Sequence, residues 1–261
     1  VIRLSHQMRG GRSVRYSTVL DTYREILRDF AALPRRKEKK PRVGIVGEIF
    51  VKFSPLGNNH LEDFLVREGA EPVMAGGAHD IGHAGLLDFL MYSVNTAVVD
   101  TRLYGMKKGR GRVMKWAYRY LHKKQLDFIR LYREEGTFAP PTDFEKTRAA
   151  IRGFMSEGVQ MGEGWLLTAE MLELIEGGVT NVVCTQPFGC LPNHIVGKGM
   201  MKAVREKHPG VNLVSIDYDS SASRINQENR LKLMLAAATR QEGQPFAEPT
   251  EKEEEESLLM R

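Results

Sequence analysis

The sequence lacks the features of membrane-spanning and secreted proteins. No apolar run in its 261 residues approaches the roughly 20 residues that cross a bilayer as a helix. The first sixteen residues carry four arginines and no apolar segment, so we expect no secretory signal. Cysteine is scarce, at two residues, which is too few for a disulfide framework and typical of a reducing compartment. These absences predict a cytoplasmic protein with no membrane partner.

Acidic residues are sparse outside the C-terminal tail. Residues 241–261 hold seven glutamates, and the rest of the chain has 36 basic against 26 acidic residues. Such a basic body can attract nucleic acid, anionic cofactors or an acidic partner. The tail has low complexity, which predicts disorder. Because the chain begins with Val1 and a basic stretch, we expect it to be a fragment or the product of a split gene.

Apolar strands alternate with helical segments over most of the chain. β-Branched apolar runs predict four buried strands, at Val43–Val51, Glu71–Met74, Asn181–Cys184 and Val211–Tyr218. The alternation predicts an α/β fold with a Rossmann-like, four-stranded parallel sheet in the order 2-1-3-4. Residues 85–163 are too many for one crossover, and they predict a helical insertion between strands 2 and 3.

The chain therefore divides into three predicted parts. Residues 1–42 form an N-terminal helix and a basic linker, residues 43–240 form the α/β domain with its insertion, and residues 241–261 form the acidic tail. In open parallel sheets, ligands bind where loops converge over the carboxyl ends of the strands. We therefore expect residues 48–54, 162–165, 186–194 and 217–221 to border one cleft.

Both cysteines fall in one short segment, from Cys184 to His194. The first is predicted to end strand 3, near the edge of the sheet. Cys190 follows in a loop just before a predicted helix, whose N-terminus stabilises anions. The C-x5-C spacing is a weak metal signal, and two unrelated buried cysteines are an equally good interpretation.

Several blocks, in a fixed order, resemble one known group of proteins. They are Val43-Gly-Ile-Val-Gly-Glu-Ile49, Lys52-Phe-Ser-Pro55, Asn58-Asn59, Gly162-Glu-Gly-Trp-Leu-Leu-Thr-Ala-Glu170, Pro187-Phe-Gly-Cys190, Asn193-His-Ile-Val-Gly-Lys-Gly199 and Asp217-Tyr-Asp-Ser-Ser-Ala222. The blocks resemble 2-hydroxyacyl-CoA dehydratase subunits and, more closely, the large acyl-CoA dehydratase activase proteins. Both belong to the benzoyl-CoA reductase / 2-hydroxyglutaryl-CoA dehydratase group. The resemblance runs from about residue 16 to residue 238.

This resemblance implies an oxygen-sensitive iron–sulfur protein of anaerobic metabolism. Related subunits hold a [4Fe–4S] cluster between Rossmann-like domains through cysteine thiolates. The resemblance implies Cys190 as a cluster ligand and Cys184 as a second one, with Gly189, Asn193 and His194 beside the cofactor. The remaining ligands would come from an upstream segment, another subunit or a non-cysteine donor.

The sequence departs from the full family pattern because it contains no ATPase module. No glycine-rich phosphate loop followed by Lys-Ser/Thr is present. We therefore expect a partner, either an upstream ATPase/activase module or a dehydratase subunit, and no enzymatic activity of the chain alone. An acyl-CoA is the ligand that the resemblance implies.

Two further segments carry chemistry-bearing residues. The sequence His79-Asp80-Ile-Gly-His83 has metal-ligand residue types, although its glycine-rich surroundings favour a plain loop. The helix predicted at Lys107–Glu135 interleaves basic residues with Trp116, Tyr118 and Tyr120. Nucleic-acid binding, docking of an acidic partner and docking of coenzyme A phosphates are all compatible with it. We favour a solvated helix with inward-packed aromatics and do not expect a nucleic-acid partner.

Two functional hypotheses follow. In the first, the chain is an iron–sulfur-dependent component of a dehydratase/activase-type redox system. In the second, it is a non-catalytic α/β scaffold or binding module that has lost the cluster. The presence of iron and sulfide in anaerobically purified protein distinguishes them.

Overall fold

Parallel strands form the centre of the molecule. The computed structural model describes residues 15–34, 38–74, 83–105, 108–219 and 222–241. Within these residues, four strands form one sheet in the order β2-β1-β3-β4, and each neighbouring pair is parallel. The strands are β1 (Arg42–Gly47), β2 (Glu71–Met74), β3 (Asn181–Pro187) and β4 (Asn212–Tyr218). The predicted fold class and strand order are confirmed.

Helices precede the sheet, cover both of its faces and build the insertion. They are α1 (Tyr16–Ala31), α2 (Ile49–Phe53), α3 (Leu61–Arg67), α4 (His83–Leu103), α5 (Lys108–Glu135), α6 (Phe144–Ala150), α7 (Trp165–Glu176), α8 (Met201–Lys207) and α9 (Arg224–Gln241). Helices α4 to α6 lie between β2 and α7, so the predicted helical insertion is present. Among the described residues, no helix has the length and hydropathy that crossing a membrane requires.

The first strand is shorter than the apolar run predicts. Val43–Val51 was expected to form one strand, yet β1 ends at Gly47. The backbone of this glycine has φ 132°, and a Cβ there would lie 1.9 Å from the carbonyl oxygen of Thr185. Glu48 then accepts a hydrogen bond from the Val51 backbone N–H at 2.7 Å and begins α2. A tight strand exit and a helix cap therefore override the β propensity of the run.

The core lies on both faces of the sheet, since alternate side chains of a strand point in opposite directions. On one face, α7 packs its residues Leu167 and Met171 against Val182 of β3. On the other face, Leu65 of α3 and Leu231 of α9 pack in one cluster with strand residues. Both faces of the sheet are thus covered by helices, as an all-parallel sheet requires.

The insertion joins the sheet domain through the outer side of α7. Trp165 and Leu166 of α7 form a buried cluster with Met91 of α4 and Phe144 of α6. The N-terminal helix α1 packs on the insertion, because its residues cluster with the C-terminal half of α5. Helix α7 is therefore buried on the side of the sheet and on the side of the insertion.

Candidate functional site

Loops from distant parts of the sequence meet at the carboxyl edge of the sheet. The Ile49 backbone N–H donates to Glu163 Oε1 at 3.1 Å, and Asn193 Nδ2 lies 3.5 Å from Glu163 Oε2. Gln186 Nε2 donates to Asp217 Oδ1 at 2.6 Å. These contacts connect all four segments that were predicted to border one cleft, as far as the described residues reach.

Cys190 lies in a turn at this edge, directly after β3. Its backbone N–H donates to the carbonyl of Pro187 at 3.2 Å, and Gly189 supplies the positive φ of 73° that closes the turn. The thiol is half-buried, and Asn193 Nδ2 donates to its Sγ at 3.2 Å. The side chain is therefore partly accessible, and its sulfur is held by an amide donor.

His194 is oriented by the same turn. Its Nδ1 lies 2.9 Å from the carbonyl oxygen of Cys190, and a carbonyl can only accept, so Nδ1 carries the proton of that hydrogen bond. Nε2 faces the cleft, 3.5 Å from Gln186 Nε2 and 4.0 Å from Asp217 Oδ1. The imidazole thus presents Nε2 towards the side chains of Gln186 and Asp217.

Cys184 lies in a different environment from the one predicted. Strand β3 continues for three residues beyond it to Pro187, and β3 is an inner strand between β1 and β4. The thiol is fully buried in the cluster under α7, and burial is the main cause that raises its pKa to about 12. The predictions that Cys184 ends its strand and lies near the sheet edge are wrong.

A π-helical turn, Asn193–Gly197, follows the Cys190 turn, and a 3-10 turn, Lys198–Met200, leads on into α8. Within this turn, the Val196 backbone carbonyl accepts a hydrogen bond from the Thr168 hydroxyl. Gly197 packs tightly over the core, since a Cβ there would lie 2.9 Å from Cys184 Sγ. Isolated π turns are frequent at functional sites, and this one places Asn193 against Cys190.

A buried ion pair lies close to the C-terminal end of β1. Lys52 is 4% exposed, and its Nζ donates to Glu170 Oε2 at 2.9 Å. A cavity of about 20 Å³ lies between Lys52, Glu163 and Gly47, which is room for about one water molecule. The neighbouring carboxylate, that of Glu48, caps α2.

Two buried side-chain oxygens at the edge have no hydrogen-bond partner within the described part of the chain. They are Asn193 Oδ1 and Gln186 Oε1. Buried polar atoms are almost always paired, so each of these acceptors calls for a donor such as water or a bound molecule. The carboxyl edge therefore has two acceptor oxygens beside Cys190 and His194 that can still receive a hydrogen bond.

Two buried carboxyl groups lie deeper, where the insertion meets α7. Burial and the nearby Glu173 and Glu170 raise the pKa of Asp88 well above its ordinary value, against the opposing charge of Lys52. Burial also raises the pKa of Glu173, which accepts a hydrogen bond from the Thr147 hydroxyl at 2.8 Å. Sequence reasoning missed both groups, because nothing local marks a carboxyl that a distant helix will bury.

The thiols of this chain do not by themselves fit a four-thiolate cluster. Only Cys190 combines accessibility with a hydrogen bond to sulfur, while Cys184 is sealed in the core in its neutral form. No group of three or more His, Cys, Asp or Glu side chains is placed to hold a metal ion within the described ranges. His79 and Asp80 lie outside those ranges, and His83 is the first residue of α4.

The chain matches no family model, no curated protein and no solved structure.

Proposed function

We propose that this protein is an iron–sulfur-dependent component of a 2-hydroxyacyl-CoA dehydratase/activase-type redox system. In this proposal it contributes one thiolate, that of Cys190, to a [4Fe–4S] centre that a second polypeptide completes. The observation that carries the proposal is the position of Cys190 at the carboxyl edge of the sheet with an amide donor on its sulfur. The order of the sequence blocks supports the same group of proteins.

The residues around Cys190 suit a ligand thiolate. Asn193 donates to sulfur, and such hydrogen bonds stabilise the thiolate and tune the potential of a cluster. Glu163 Oε2 lies 3.5 Å from the same Asn193 Nδ2 atom. This second contact fixes the orientation of the Asn193 amide. His194, oriented through Nδ1 by the Cys190 carbonyl, lies beside Asp217. A bound cluster would supply one-electron transfer, and these side chains would orient the thiolate and screen it from water.

Exposed apolar side chains around the edge support completion by a second polypeptide. Each follows the carboxyl end of β1 or β3, and together they form what we term the apolar rim: Ile49, Phe50, Phe53, Phe188, Leu191 and Ile195. Large exposed apolar groups that flank a polar site are typical of interaction surfaces. We propose that an ATPase/activase module or a dehydratase subunit docks on the apolar rim, and that an acyl-CoA is the substrate of the assembled system.

The test is an anaerobic iron and sulfide assay of the protein, alone and mixed with the candidate activase or dehydratase subunit. We expect low iron in the chain alone and a several-fold rise in the complex. Cys190→Ser should abolish the rise. Cys184→Ala is the matched control, since it also removes one thiol and should retain the iron.

Folding and assembly are checked separately. Circular dichroism should show that Cys190→Ser is folded, and gel filtration should show that it still binds the partner. Equal iron in the Cys190→Ser and wild-type complexes would refute the ligand role. In that case the α/β scaffold without a cluster would be the better hypothesis.

A further inference from the structure

Helix α5 exposes aromatic and basic side chains together. Trp116 is 67% exposed and Tyr120 is 52% exposed, so the prediction that the aromatics of this helix pack inward is wrong for these two. Tyr118 does pack inward, against the cluster around Trp165. Their rings stack on each other, with centroids 5.9 Å apart and an interplanar angle of 18°. The stacked pair forms a flat platform that is open to solvent.

The cations beside this platform have no carboxylate partner in the part of the chain that the structure describes. Residues spaced by three, four or seven positions share one side of a helix. The members of this side define the basic–aromatic face: Arg112, Lys115, Trp116, Arg119, Tyr120 and Lys123. Among the described residues, none of its four cations has an acidic side chain within 4.0 Å, whereas Lys124 and Arg130 of the same helix both pair with Asp127. The face therefore carries uncompensated positive charge.

A cavity of about 260 Å³ lies beside the basic–aromatic face, with Lys115 and Arg119 in its lining. This volume is close to the lower end, about 300 Å³, of the range for small-molecule sites. Arg148 forms part of the wall and pairs with Glu145 and Glu157 at 3.0 Å each. Glu145 and Glu157 together outweigh the charge of Arg148 by one, and the cavity cations that lack a carboxylate partner among the described residues are Lys115 and Arg119.

We propose that the basic–aromatic face and this cavity form a binding site for a purine nucleoside diphosphate or triphosphate. The base stacks on Trp116, because indole and purine rings present matching π faces. The phosphates bind Lys115 and Arg119 at the mouth of the cavity, where Glu145 of the lining is paired with Arg148 and not with either of these cations. This site is separate from Cys190 and does not depend on the iron–sulfur proposal.

The arrangement favours a mononucleotide over two alternatives. An acidic protein partner would use the cations and the aromatic pair, but the adjacent cavity of about 260 Å³ has the size of a small-molecule site. A nucleic-acid strand stacks successive bases on successive aromatic side chains, and the basic–aromatic face offers a single stacked pair. One base with a short, highly charged phosphate chain uses every part of the site.

Tryptophan fluorescence measures this binding directly. Trp165, the second tryptophan of the chain, is fully buried, so a ligand at the surface quenches Trp116. We expect ADP and ATP to quench the emission, while adenosine and tripolyphosphate bind at least about tenfold more weakly, since each lacks one half of the recognised chemistry. Quenching should be absent in Trp116→Phe.

Isothermal titration with ADP tests the individual side chains. Trp116→Ala and Arg119→Gln should each raise the Kd about tenfold, the size expected for one stacking or phosphate contact. Lys202→Gln, which removes an exposed cation from α8, is the matched control and should leave the Kd unchanged. Failure of ADP to bind, equal binding of tripolyphosphate, or binding of an oligodeoxyadenylate without binding of ADP would each overturn the proposal.

Discussion

At the residue scale, the two cysteines illustrate how burial separates identical groups. Cys190 is half-buried in a surface turn, and Cys184 is sealed under α7 with its pKa raised to about 12. A thiolate attacks the disulfide of Ellman's reagent, forms a mixed disulfide and releases thionitrobenzoate. We expect one thiol to react in the native protein at pH 8 and the second only after unfolding. The measurement is the absorbance of the released thionitrobenzoate.

Single-cysteine variants assign the fast thiol. Cys190→Ser should abolish the native-state reaction, and Cys184→Ser should leave its rate unchanged. A fast reaction in the folded Cys190→Ser protein would show that Cys184 is accessible, contrary to its position in the core.

Gly47 is the residue at which the sheet tolerates no side chain. Its φ is 132°, and an added Cβ would lie 1.9 Å from a backbone oxygen of the neighbouring strand. Gly47→Ala should therefore lower the free energy of unfolding by more than about 3 kcal/mol. Urea denaturation followed by circular dichroism gives this value.

Gly69→Ala is the matched control, because it introduces the strain of a positive φ without a steric clash. Gly69 also has a positive φ, of 86°, but nothing lies within 4 Å of the position of its Cβ. Gly69→Ala should lower the free energy of unfolding by only about 1–2 kcal/mol, the strain of a left-handed non-glycine residue. Equal losses of unfolding free energy in the two variants would show that the close approach of Thr185 to Gly47 does not limit the stability.

At the element scale, the strands were largely predictable and their ends were not. Apolar runs rich in β-branched residues marked β1, β3 and β4, a shorter apolar segment marked β2, and the handedness of crossover connections specified their order. The end of β1 and the existence of α2 depend on the contact of Gly47 with Thr185, which lies 138 positions away in the sequence. The candidate cleft was predictable from the convergence of strand ends. The burial of Asp88 and Glu173 was not, because it depends on the packing of the insertion against α7.

The junction of α4, α5 and α7 gives the protein a pH-dependent stability. Asp88 of α4 accepts a hydrogen bond from Gln125 of α5 at 2.6 Å, and its pKa in the folded state lies well above the ordinary value. The folded state therefore holds a proton that the unfolded state releases from about pH 4 upwards. The difference in proton binding by Asp88 therefore lowers the free energy of unfolding as the pH rises from about 4 to the folded-state pKa.

Asp88→Asn tests the sign of this effect. The amide cannot ionise and still accepts through its oxygen, so the variant should gain stability at pH 8 relative to wild type and gain little at pH 4. Thermal denaturation across this pH range gives the two curves. Glu62→Gln, at an exposed position on α3, should leave the curve unchanged. A loss of stability at pH 8 in Asp88→Asn would contradict the burial of a protonated carboxyl.

At the scale of the whole molecule, the sheet and the insertion should unfold together. Trp165 lies at their junction, and Phe144 of α6 packs against it with ring centroids 5.9 Å apart. Phe144→Ala should cost about 3–5 kcal/mol, as expected for a buried aromatic. Far-UV circular dichroism and tryptophan fluorescence should report one coincident urea transition.

An exposed phenylalanine provides the comparison. Phe188→Ala on the apolar rim, where the side chain is 71% exposed, should change the stability by less than about 0.5 kcal/mol. Two separated transitions in the wild-type protein would mean that the insertion folds on its own and that α7 does not couple it to the sheet.

The double burial of α7 limits how this protein can be shortened. Its residues on one side complete the sheet, and Leu166 and Ala169 on the other side are covered by the insertion. Deleting residues 83–163 would leave that second side bare, and an uncovered apolar helix face promotes aggregation. A miniaturised version of the sheet would therefore need polar replacements at Leu166 and Ala169 before it could remain dispersed in water.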